Sequence, residues 1–305
     1  MDAVELQGVT KTFGETVAVN GLSLAVPPGS VYGFIGPNGS GKTTTLRMIM
    51  RILHPDSGVV RVFGEDVSHS AAASDRIGYL PEERSLYRKM VVKDVLQFFA
   101  ELKGVRDASA EITRWLEKLN LADYAAKKVE TLSKGMSQKL QFIATVLHKP
   151  ELVILDEPFT GLDPVNQDVL RDAIVDLKRD GATVVFSTHD MDVAEKMCDF
   201  VFMIFNGRKV LDGTLESIKQ QYGEDTIRVR TGGNGVAFDL LPGIAKVNDF
   251  GQFQELRMTE NADPQTVLKA LAEQARVEHF EIAQPTLHDI FVRIARPEAV
   301  EVSDA

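Results

Sequence analysis

Residues 36–43 read GPNGSGKT, which matches the pattern G-x-x-x-x-G-K-[ST]. Three glycines let the backbone curl until its N–H groups point at phosphate oxygens: Gly36, Gly39 and Gly41. A strand-like segment precedes the loop (VYGFI, 31–35) and a helix-like segment follows it (TTLRMIM, 44–50). The positive N-terminal end of that helix adds to the attraction for an anion. The sequence therefore predicts a site for nucleotide phosphates.

The side chains of this loop also have predicted roles. Lys42 is expected to reach the β- and γ-phosphates, and the Thr43 hydroxyl to bind Mg²⁺. We expect four further residues around the nucleotide: Pro37, Asn38 and Ser40 of the loop and Thr44 directly after it. A glycine-rich turn without a ligand is the plainer interpretation, but the strand before the loop and the helix after it favour a nucleotide site.

Two adjacent carboxylates follow four apolar residues in LVILDEP, residues 152–158. Asp156 ends the predicted strand and can hold Mg²⁺ through the water shell of the ion, and Glu157 is placed to polarise an attacking water. Adjacent acids at the end of a buried strand cost free energy unless metal or phosphate chemistry uses them. A solvated turn at the strand end is the alternative.

Short apolar segments alternate with helical patterns over most of the chain. Four of them are predicted to be buried parallel strands because they are almost continuously apolar: residues 31–35, 152–155, 183–187 and 200–205. Helices are predicted at residues 42–53, 166–179 and 191–198. This alternation predicts an α/β sheet. A helical insertion is expected at about residues 87–150, with helices at 93–102, 108–119 and 137–149.

The pattern changes near residue 220. A turn-forming stretch, TGGNG at 231–235, precedes further predicted elements. These are a strand at 253–258, a helix at 263–275 that Asp263 caps, a strand at 277–282 and a last helix from about Thr286. We therefore expect a first domain of residues 1–220 and a small α+β accessory domain of residues 221–305.

Composition excludes several classes of protein. The chain has 305 residues with 34 basic and 44 acidic side chains, a net charge of −10, and we expect no nucleic-acid partner because such proteins are usually basic. The longest apolar run is residues 200–205, far short of the ~20 residues that span a bilayer. The acidic N-terminus does not resemble a signal peptide, and the single Cys198 fits a reducing compartment. We expect a soluble, non-secreted protein.

Further motifs occur in the order and spacing of those in the ATP-binding subunit of an ABC transporter, and residues 4–215 resemble that subunit. LSKGMSQ (132–138) resembles the family signature LSGGQ, TGLDP (160–164) resembles its D-loop, and His189 in THD resembles its switch histidine. Phe13 lies where the family places an aromatic that stacks on adenine; a core aromatic is the alternative.

The C-terminal part has a resemblance of its own. Residues 215–305 resemble the extra domain of a branch of exporter ATPases that includes sodium-, drug- and antibiotic-export types. Together the resemblances imply an α/β fold, with a P-loop NTPase core of the ABC type, a helical subdomain and a small α+β C-terminal domain.

The resemblance also implies how the site works. In the family, two ATP molecules lie between two subunits, each between one phosphate loop and the other subunit's signature motif. Ser133 and Gly135 would face the γ-phosphate held by the partner, and Asp163 would communicate across the interface. His189 would contact the γ-phosphate and position the water near Glu157.

Partners and location follow from the same resemblance. ATP and Mg²⁺ are the implied ligands, and a separate integral membrane permease is the implied partner. A second ATPase subunit is implied too; a homodimer is favoured because every catalytic position is filled, although a heterodimer fits as well. The expected location is cytoplasmic, peripheral on the cytoplasmic face of the cell membrane through the permease, and the expected direction is export.

Two departures from the family pattern affect these expectations. Glu82 stands where the glutamine loop normally has Gln, so a carboxylate is expected beside Mg²⁺ or the attacking water, unless it is only a solvated loop residue. In the signature, Lys134 replaces a glycine and Met136 a glutamine. Lys134 either aids binding of the partner's γ-phosphate or lies on the rim.

Two other functions compete with the transporter subunit. A soluble ABC-type ATPase of translation usually carries two cassettes, whereas this chain has one phosphate loop and one signature; relatives in DNA maintenance insert long coiled coils, and no sustained heptad run is present. A small-molecule kinase does not explain the signature or the D-loop.

Overall fold

The structure, a computed structural model, describes residues 1–69, 72–83, 86–222, 226–232, 236–259 and 261–295. The chain divides into two units, Met1–Leu215 and Glu216–Ala305. The boundary predicted from the sequence, after residue 220, falls slightly later in the chain.

The strands of the first unit are β1 (Val4–Phe13), β2 (Thr16–Val26), β3 (Val31–Ile35), β4 (Ser57–Val62), β5 (Glu65–Asp66), β6 (Ile77–Leu80), β7 (Leu152–Asp156), β8 (Thr183–Thr188), β9 (Phe200–Phe205) and β10 (Arg208–Thr214). The helices up to residue 221 are α1 (Lys42–Ile49), α2 (Val92–Leu102), α3 (Ser109–Lys118), α4 (Lys134–Val146), α5 (Pro164–Arg179), α6 (Met191–Met197) and α7 (Leu215–Gln221). Among the described residues, none of the helices is long and apolar enough to cross a membrane.

A six-stranded sheet organises the first unit, in the order β10-β9-β3-β8-β7-β6. Its strands are parallel except β10, which pairs antiparallel with β9. Side chains of β7 alternate between two cores: Val153 and Leu155 pack with the helices α2 to α5, whereas Leu152 and Ile154 pack on the side of α1. Burial on both faces explains why these strands are continuously apolar in sequence. The predicted α/β sheet is confirmed.

A second, antiparallel sheet in the order β2-β1-β4-β5 covers the α1 side. Its buried residues join the core around α1 and the large sheet, as Leu6 and Val60 do with Phe34. This sheet was not expected from the sequence, because its strands carry many polar residues and only some of their positions are buried.

Helices α2, α3 and α4 form the predicted helical region between the strands β6 and β7. The rings of Trp115 on α3 and Phe142 on α4 meet edge to face, with centroids 5.8 Å apart. Helix α4 begins at Lys134, before the predicted start at 137. Ser133 is therefore the N-cap of this helix, so the signature lies at a helix N-terminus.

The second unit has the strands β11 (Thr226–Gly232), β12 (Ile244–Asp249), β13 (Gln254–Met258) and β14 (Arg276–Ala283), with the helices α8 (Pro264–Gln274) and α9 (Leu287–Ala295). They form an antiparallel sheet in the order β12-β13-β11-β14. Its core packs Ile227, Val229 and Leu256 against Val267 and Leu271 of α8.

Two predictions for the second unit can be compared with the structure. Asp263 caps α8 as predicted, because its carboxylate accepts hydrogen bonds from the N–H groups of Gln265 and Thr266. The predicted turn at 231–235 begins differently: Thr231 and Gly232 end the strand β11, and residues 233–235 lie outside the described residues.

Candidate active site

The loop GPNGSGKT connects β3 to α1, and its backbone conformation requires glycine. Gly39 and Gly41 have φ values of 78° and 112°, which L-residues with a side chain rarely adopt. A Cβ at Gly41 would also lie 2.5 Å from the carbonyl oxygen of Ala18. Helix α1 begins at Lys42, within the loop sequence. The end of the loop therefore supplies N–H groups that have no hydrogen-bond partner within the helix. This arrangement favours an anion.

Lys42 is held inside the loop. Its Nζ donates hydrogen bonds to the carbonyl oxygens of Gly36 (2.8 Å) and Pro37 (3.2 Å), and the residue is only 6% exposed. The same Nζ lies 3.5 Å from Oε1 of Glu157. A buried ammonium facing one carboxylate is placed to receive phosphate oxygens.

Asp156 ends β7 and is completely buried. Its Oδ1 accepts hydrogen bonds from the hydroxyls of Ser187 (2.6 Å) and Thr43 (3.1 Å), whereas its Oδ2 is buried without a partner. A carboxylate and a hydroxyl at this distance are oxygen ligands of the kind that Mg²⁺ prefers. The unpartnered Oδ2 is a further reason that these residues fit a cation.

Glu157 has an unusual backbone conformation, with φ at 49°. Such a conformation costs about 1–3 kcal/mol for a residue with a side chain and is often found at functional sites. Its N–H donates to Ser187 Oγ over 2.9 Å, which holds the strained residue in place. Its Oε2 lies 3.0 Å from Nδ1 of His189, and its Oε1 is buried without a hydrogen-bond partner.

A pocket of about 460 Å³ lies over the loop. Most predicted site residues line it, namely Asn38, Gly39, Ser40, Gly41, Lys42, Thr43, Thr44, Glu82, Glu157 and His189. Ala18 and Thr160 line it as well and were not predicted. Gly36 and Pro37 contribute the carbonyls that hold Lys42, and Asp156 lies beneath through its contact with Thr43. Ser40 Oγ adds another buried polar atom without a partner.

Phe13 does not line this pocket. It ends β1 and its ring is 48% exposed, with Lys11 Nζ at 5.6 Å from the ring centroid. The ring therefore does not belong to the core, which was the alternative considered for it.

The signature residues lie apart from the phosphate pocket of their own chain. Ser133 caps α4 by accepting a hydrogen bond from the N–H of Met136 (3.2 Å), and Lys134 and Gly135 form the first turn. Ser133 and Lys134 are exposed, and none of the four lines the pocket over the loop. Lys134 lines a smaller groove with Leu86 and Glu130 instead.

Asp163 is the N-cap of α5 and connects to the signature helix through side chains. Its carboxylate accepts from the backbone N–H (3.0 Å) and the side-chain amide (2.6 Å) of Asn166, which hold the pKa of Asp163 below its usual value. Asn166 in turn accepts from Nζ of Lys139 on α4, over 2.8 Å. Lys139 is 3% exposed, and burial lowers the pKa of its ammonium.

Five residues of the site were not predicted from the sequence: Ala18, Thr160, Ser187, Lys139 and Asn166. Ser187 carried a signal, since it is a polar residue near the end of a buried strand. Lys139 carried no such signal, because α4 also buries the polar residues Gln138, Gln141 and Thr145. Their partners depend on contacts between distant parts of the chain, which sequence spacing does not reveal.

A phosphate loop between a parallel strand and a helix, with an aspartate at the end of another parallel strand of the same sheet, defines a P-loop nucleoside triphosphatase. Comparison with known proteins narrows this class. A family model described as ABC transporter matches residues 19–160, and one described as ATP-binding protein DrrA1-3-like, C-terminal domain, matches residues 213–295.

Similar proteins and structures agree with these models. The uncharacterized ABC transporter ATP-binding protein YhaQ of Bacillus subtilis (strain 168) is 42% identical over 93% of this chain and 95% of that protein. The daunorubicin resistance ATP-binding protein DrrA3 of Streptomyces coeruleorubidus is 33% identical over 96% of this chain and 95% of that protein. A solved ATP-binding subunit of an ABC transporter is 28% identical, with a TM-score of 0.67, over 72% of this chain and 93% of that one.

The chain belongs to the family of ABC transporter ATP-binding proteins. It is the ATP-binding subunit of a transporter, homologous to export ATP-binding proteins, and its ATP hydrolysis is coupled to transport through a membrane permease. The resemblance drawn from the phosphate loop, the signature and the D-loop is thus confirmed.

Proposed function

We propose that this subunit drives an exporter as one half of an ATP-closed homodimer. The observation that carries the proposal is the separation of two complete half-sites on one chain. Residues of the phosphate loop line one pocket together with Glu82 and Glu157, whereas the capped N-terminus of α4 presents Ser133 and Lys134 on the surface elsewhere. Two copies facing each other can bring each phosphate pocket against the other's signature.

In this proposal the residues in and around the phosphate pocket have different roles. The loop N–H groups and Lys42 bind the phosphates, and Phe13 stacks on adenine. Thr43 and Asp156, with Glu82 nearby, hold Mg²⁺, which when bound neutralises phosphate charge. Glu157 accepts a proton from the attacking water, and general bases of this kind contribute about 10²–10⁴ in rate.

His189 supports that base. Its contact with Glu157 Oε2 orients the carboxylate, and its 54% exposed side chain can reach a γ-phosphate in the pocket. Because Oε2 of Glu157 faces His189, Oε1 faces Lys42 and the pocket. Water and phosphate would therefore meet between these three side chains.

The partner copy completes the site. Ser133 and Gly135 offer the N–H groups of a helix start to the γ-phosphate held by the other copy, with Lys134 and Met136 beside them. Asp163 lies at the start of α5 and is hydrogen-bonded to Asn166, which is bonded to Lys139. A change at the contact with the other copy would reach α4 through these two hydrogen bonds.

Export on the cytoplasmic face of the membrane is the transport that we propose. Its support is the similarity to proteins whose names describe drug resistance and Nod factor export. The accessory unit, which matches the C-terminal domain named after DrrA1-3, adds to that support.

The test is to tag the chain at low expression, solubilise the membranes gently and identify what copurifies. A stoichiometric multi-span membrane protein is the expected result, with an unrelated tagged cytoplasmic protein as the control. Recovery only in the soluble fraction, or with ribosomes or DNA, would contradict the transporter assignment. Transport assayed in vesicles with the copurified permease then decides the direction.

A further inference from the structure

The carboxyl end of β8 lies between the strand that leads into the phosphate loop and the strand that ends in the two adjacent carboxylates. In the parallel register of the sheet, Ser187 pairs with Phe34 of β3 on one side and with Asp156 of β7 on the other. Ser187 is completely buried. A buried hydroxyl costs free energy unless it is hydrogen-bonded, and the hydrogen bonds of Ser187 are made with the two acidic residues.

The hydroxyl of Ser187 acts as a donor and as an acceptor at the same time. It donates its single proton to Oδ1 of Asp156 over 2.6 Å. Its oxygen accepts a hydrogen bond from the backbone N–H of Glu157 over 2.9 Å. One side chain therefore holds the carboxylate of the first acidic residue and the backbone of the second.

The hydrogen bond to Asp156 affects which carboxylate oxygen stays open. Oδ1 accepts from Ser187 and, over 3.1 Å, from the hydroxyl of Thr43, whereas Oδ2 is buried and has no hydrogen-bond partner among the described residues. Two donors on one oxygen oppose rotation of the carboxylate. A carboxylate oxygen is the kind of ligand that Mg²⁺ prefers. Without the bond from Ser187 the carboxylate would turn more freely, and Oδ2 would be held less well for the cation.

The hydrogen bond to Glu157 restrains a backbone conformation that residues with a side chain rarely adopt. The φ of Glu157 is 49°, and an N–H left unpaired at this buried position would add a further cost. His189, two residues after Ser187, contacts Oε2 of the same glutamate over 3.0 Å. The end of β8 thus holds Glu157 both at its backbone and at its side chain.

We propose that Ser187 is a positioning residue for ATP hydrolysis. Through Asp156 it keeps one carboxylate oxygen open to the cation, and through the backbone of Glu157 it keeps the base directed at the phosphate pocket. Ser187 does not line that pocket, so it acts through these two residues and not on ATP itself. This role rests on the proposed function, in which Asp156 holds Mg²⁺ and Glu157 accepts the proton of the attacking water.

Three variants separate hydrogen bonding from packing. Ser187→Ala removes both hydrogen bonds, whereas Ser187→Cys fills the space but replaces the hydroxyl by a weak donor and acceptor. Ser30→Ala is the matched control, because Ser30 is a buried serine directly before β3 whose hydroxyl donates to the carbonyl of Pro27 over 2.6 Å. Urea unfolding of each variant measures the stability that the substitution costs.

Three further measurements follow the two roles of Ser187. The first is ATP turnover as a function of Mg²⁺ concentration. The second is the affinity for Mn²⁺, which takes the same oxygen ligands as Mg²⁺, in the presence of a non-hydrolysable ATP analogue, followed by the electron paramagnetic resonance of the free ion. The third is the affinity for that analogue in EDTA, measured by calorimetric titration.

Both Ser187 variants should need about tenfold more Mg²⁺ for half-maximal turnover and bind Mn²⁺ about tenfold more weakly, because a hydrogen bond that orients a charged group is lost. Their maximal turnover should fall as well, since Glu157 is held less firmly. The affinity for the analogue in EDTA should stay unchanged, because the phosphate loop and Lys42 are intact. Ser30→Ala should match the wild type in all three measurements.

A purely structural role of Ser187 predicts a different result. Ser187→Ala would then lose about as much stability as Ser30→Ala and keep the wild-type Mg²⁺ requirement and Mn²⁺ affinity. Either that result or wild-type behaviour of Ser187→Cys would overturn the proposal. Glu157→Gln tests the proposed function separately: wild-type turnover in that variant would mean that the assigned base is wrong, and the Mn²⁺ titration alone would then decide the role of Ser187 at Asp156.

Discussion

The Nδ1 atom of His189 lies 3.0 Å from Oε2 of Glu157, although the two residues are 32 positions apart in the chain. They meet because β7 and β8 are neighbouring parallel strands whose carboxyl ends reach the same edge of the sheet. The contact turns one carboxylate oxygen toward the histidine and leaves the other 3.5 Å from Lys42. In the proposed mechanism, this geometry would set the direction from which Glu157 accepts a proton.

Glu157→Gln should retain ATP binding and lose most turnover, by about 10²–10⁴, since the amide keeps the shape of the carboxylate but cannot take a proton. With ATP bound, the variant should accumulate as a dimer. The matched control is Glu151→Gln at the opposite end of β7, where the carboxylate pairs with Arg76 on the surface. Phosphate release and size-exclusion chromatography with light scattering provide the measurements. Wild-type turnover in Glu157→Gln would mean that another group is the base.

Ser133→Arg should prevent that dimer. A large cation in place of the N-cap hydroxyl fills the space that the partner's phosphate must enter and removes the cap of α4. Introduced into Glu157→Gln, it should abolish the ATP-dependent dimer while ATP still binds the monomer. Ser109→Arg is the control, because Ser109 is an exposed serine at the start of α3. A dimer that forms equally well in both double variants would rule out the signature as the partner's contact.

The parts of the site that lie in one continuous segment could be predicted from the sequence. The phosphate loop, the carboxylates of LVILDEP and the signature each combine a local motif with the end of a single strand or helix. The strand β7 was predictable because burial on both faces leaves a run of apolar residues. Asp263 was predictable as a helix cap for a similar local reason.

The unpredicted parts depend on contacts between segments. Ser187 links Asp156 to the backbone of Glu157, but only the pairing of β7 with β8 brings it there. The positive φ of Glu157 was not predicted from the sequence either. The sheet formed by β1, β2 and β4 was not predicted, because many residues of its strands are polar.

Glu82→Gln should raise the Mg²⁺ concentration needed for half-maximal turnover. Glu82 is exposed and lines the pocket over the phosphate loop, so its charge attracts the cation there. We expect a change of roughly fivefold, because one exposed charge contributes about 1 kcal/mol at most. Glu83→Gln, an exposed neighbour outside the pocket lining, is the control. If the Mg²⁺ requirement is the same in both variants, Glu82 acts only as a solvated loop residue.

Lys139→Met should lower cooperative ATP turnover without a comparable loss of stability. The substitution removes the hydrogen bond to Asn166, which ties the signature helix to the cap of α5. Couplings of this kind are worth about 0.5–2 kcal/mol, a loss of roughly 2- to 30-fold in rate. Methionine fills the space of the lysine stem and removes a buried ammonium whose desolvation costs free energy, which offsets the lost hydrogen bond. Lys118→Met, which breaks a more exposed pair with Asp176, is the control, and turnover equal to wild type in Lys139→Met would exclude the coupling.

The stability of the first unit should decrease as the pH falls from about 6.5, and His148 should account for part of the decrease. The Nε2 atom of His148 lies 3.2 Å from the carbonyl oxygen of Ile77, while Nδ1 is buried without a partner. Burial, and then the charge of Lys103, lower the pKa of His148 below its ordinary value. The unfolded chain therefore binds a proton at a higher pH than the folded chain does, so stability rises with pH in the interval between the two pKa values.

The measurement is urea unfolding at pH 7.5 and pH 5.5, followed by the fluorescence of Trp115, the single tryptophan of the chain. His148→Gln cannot titrate, and its amide can still donate to the carbonyl of Ile77. We therefore expect it to lose less stability than the wild type between the two pH values, whereas His54→Gln, at an exposed position, should behave like the wild type. Equal losses in all three proteins would show that His148 takes up its proton as readily in the folded chain as in the unfolded one.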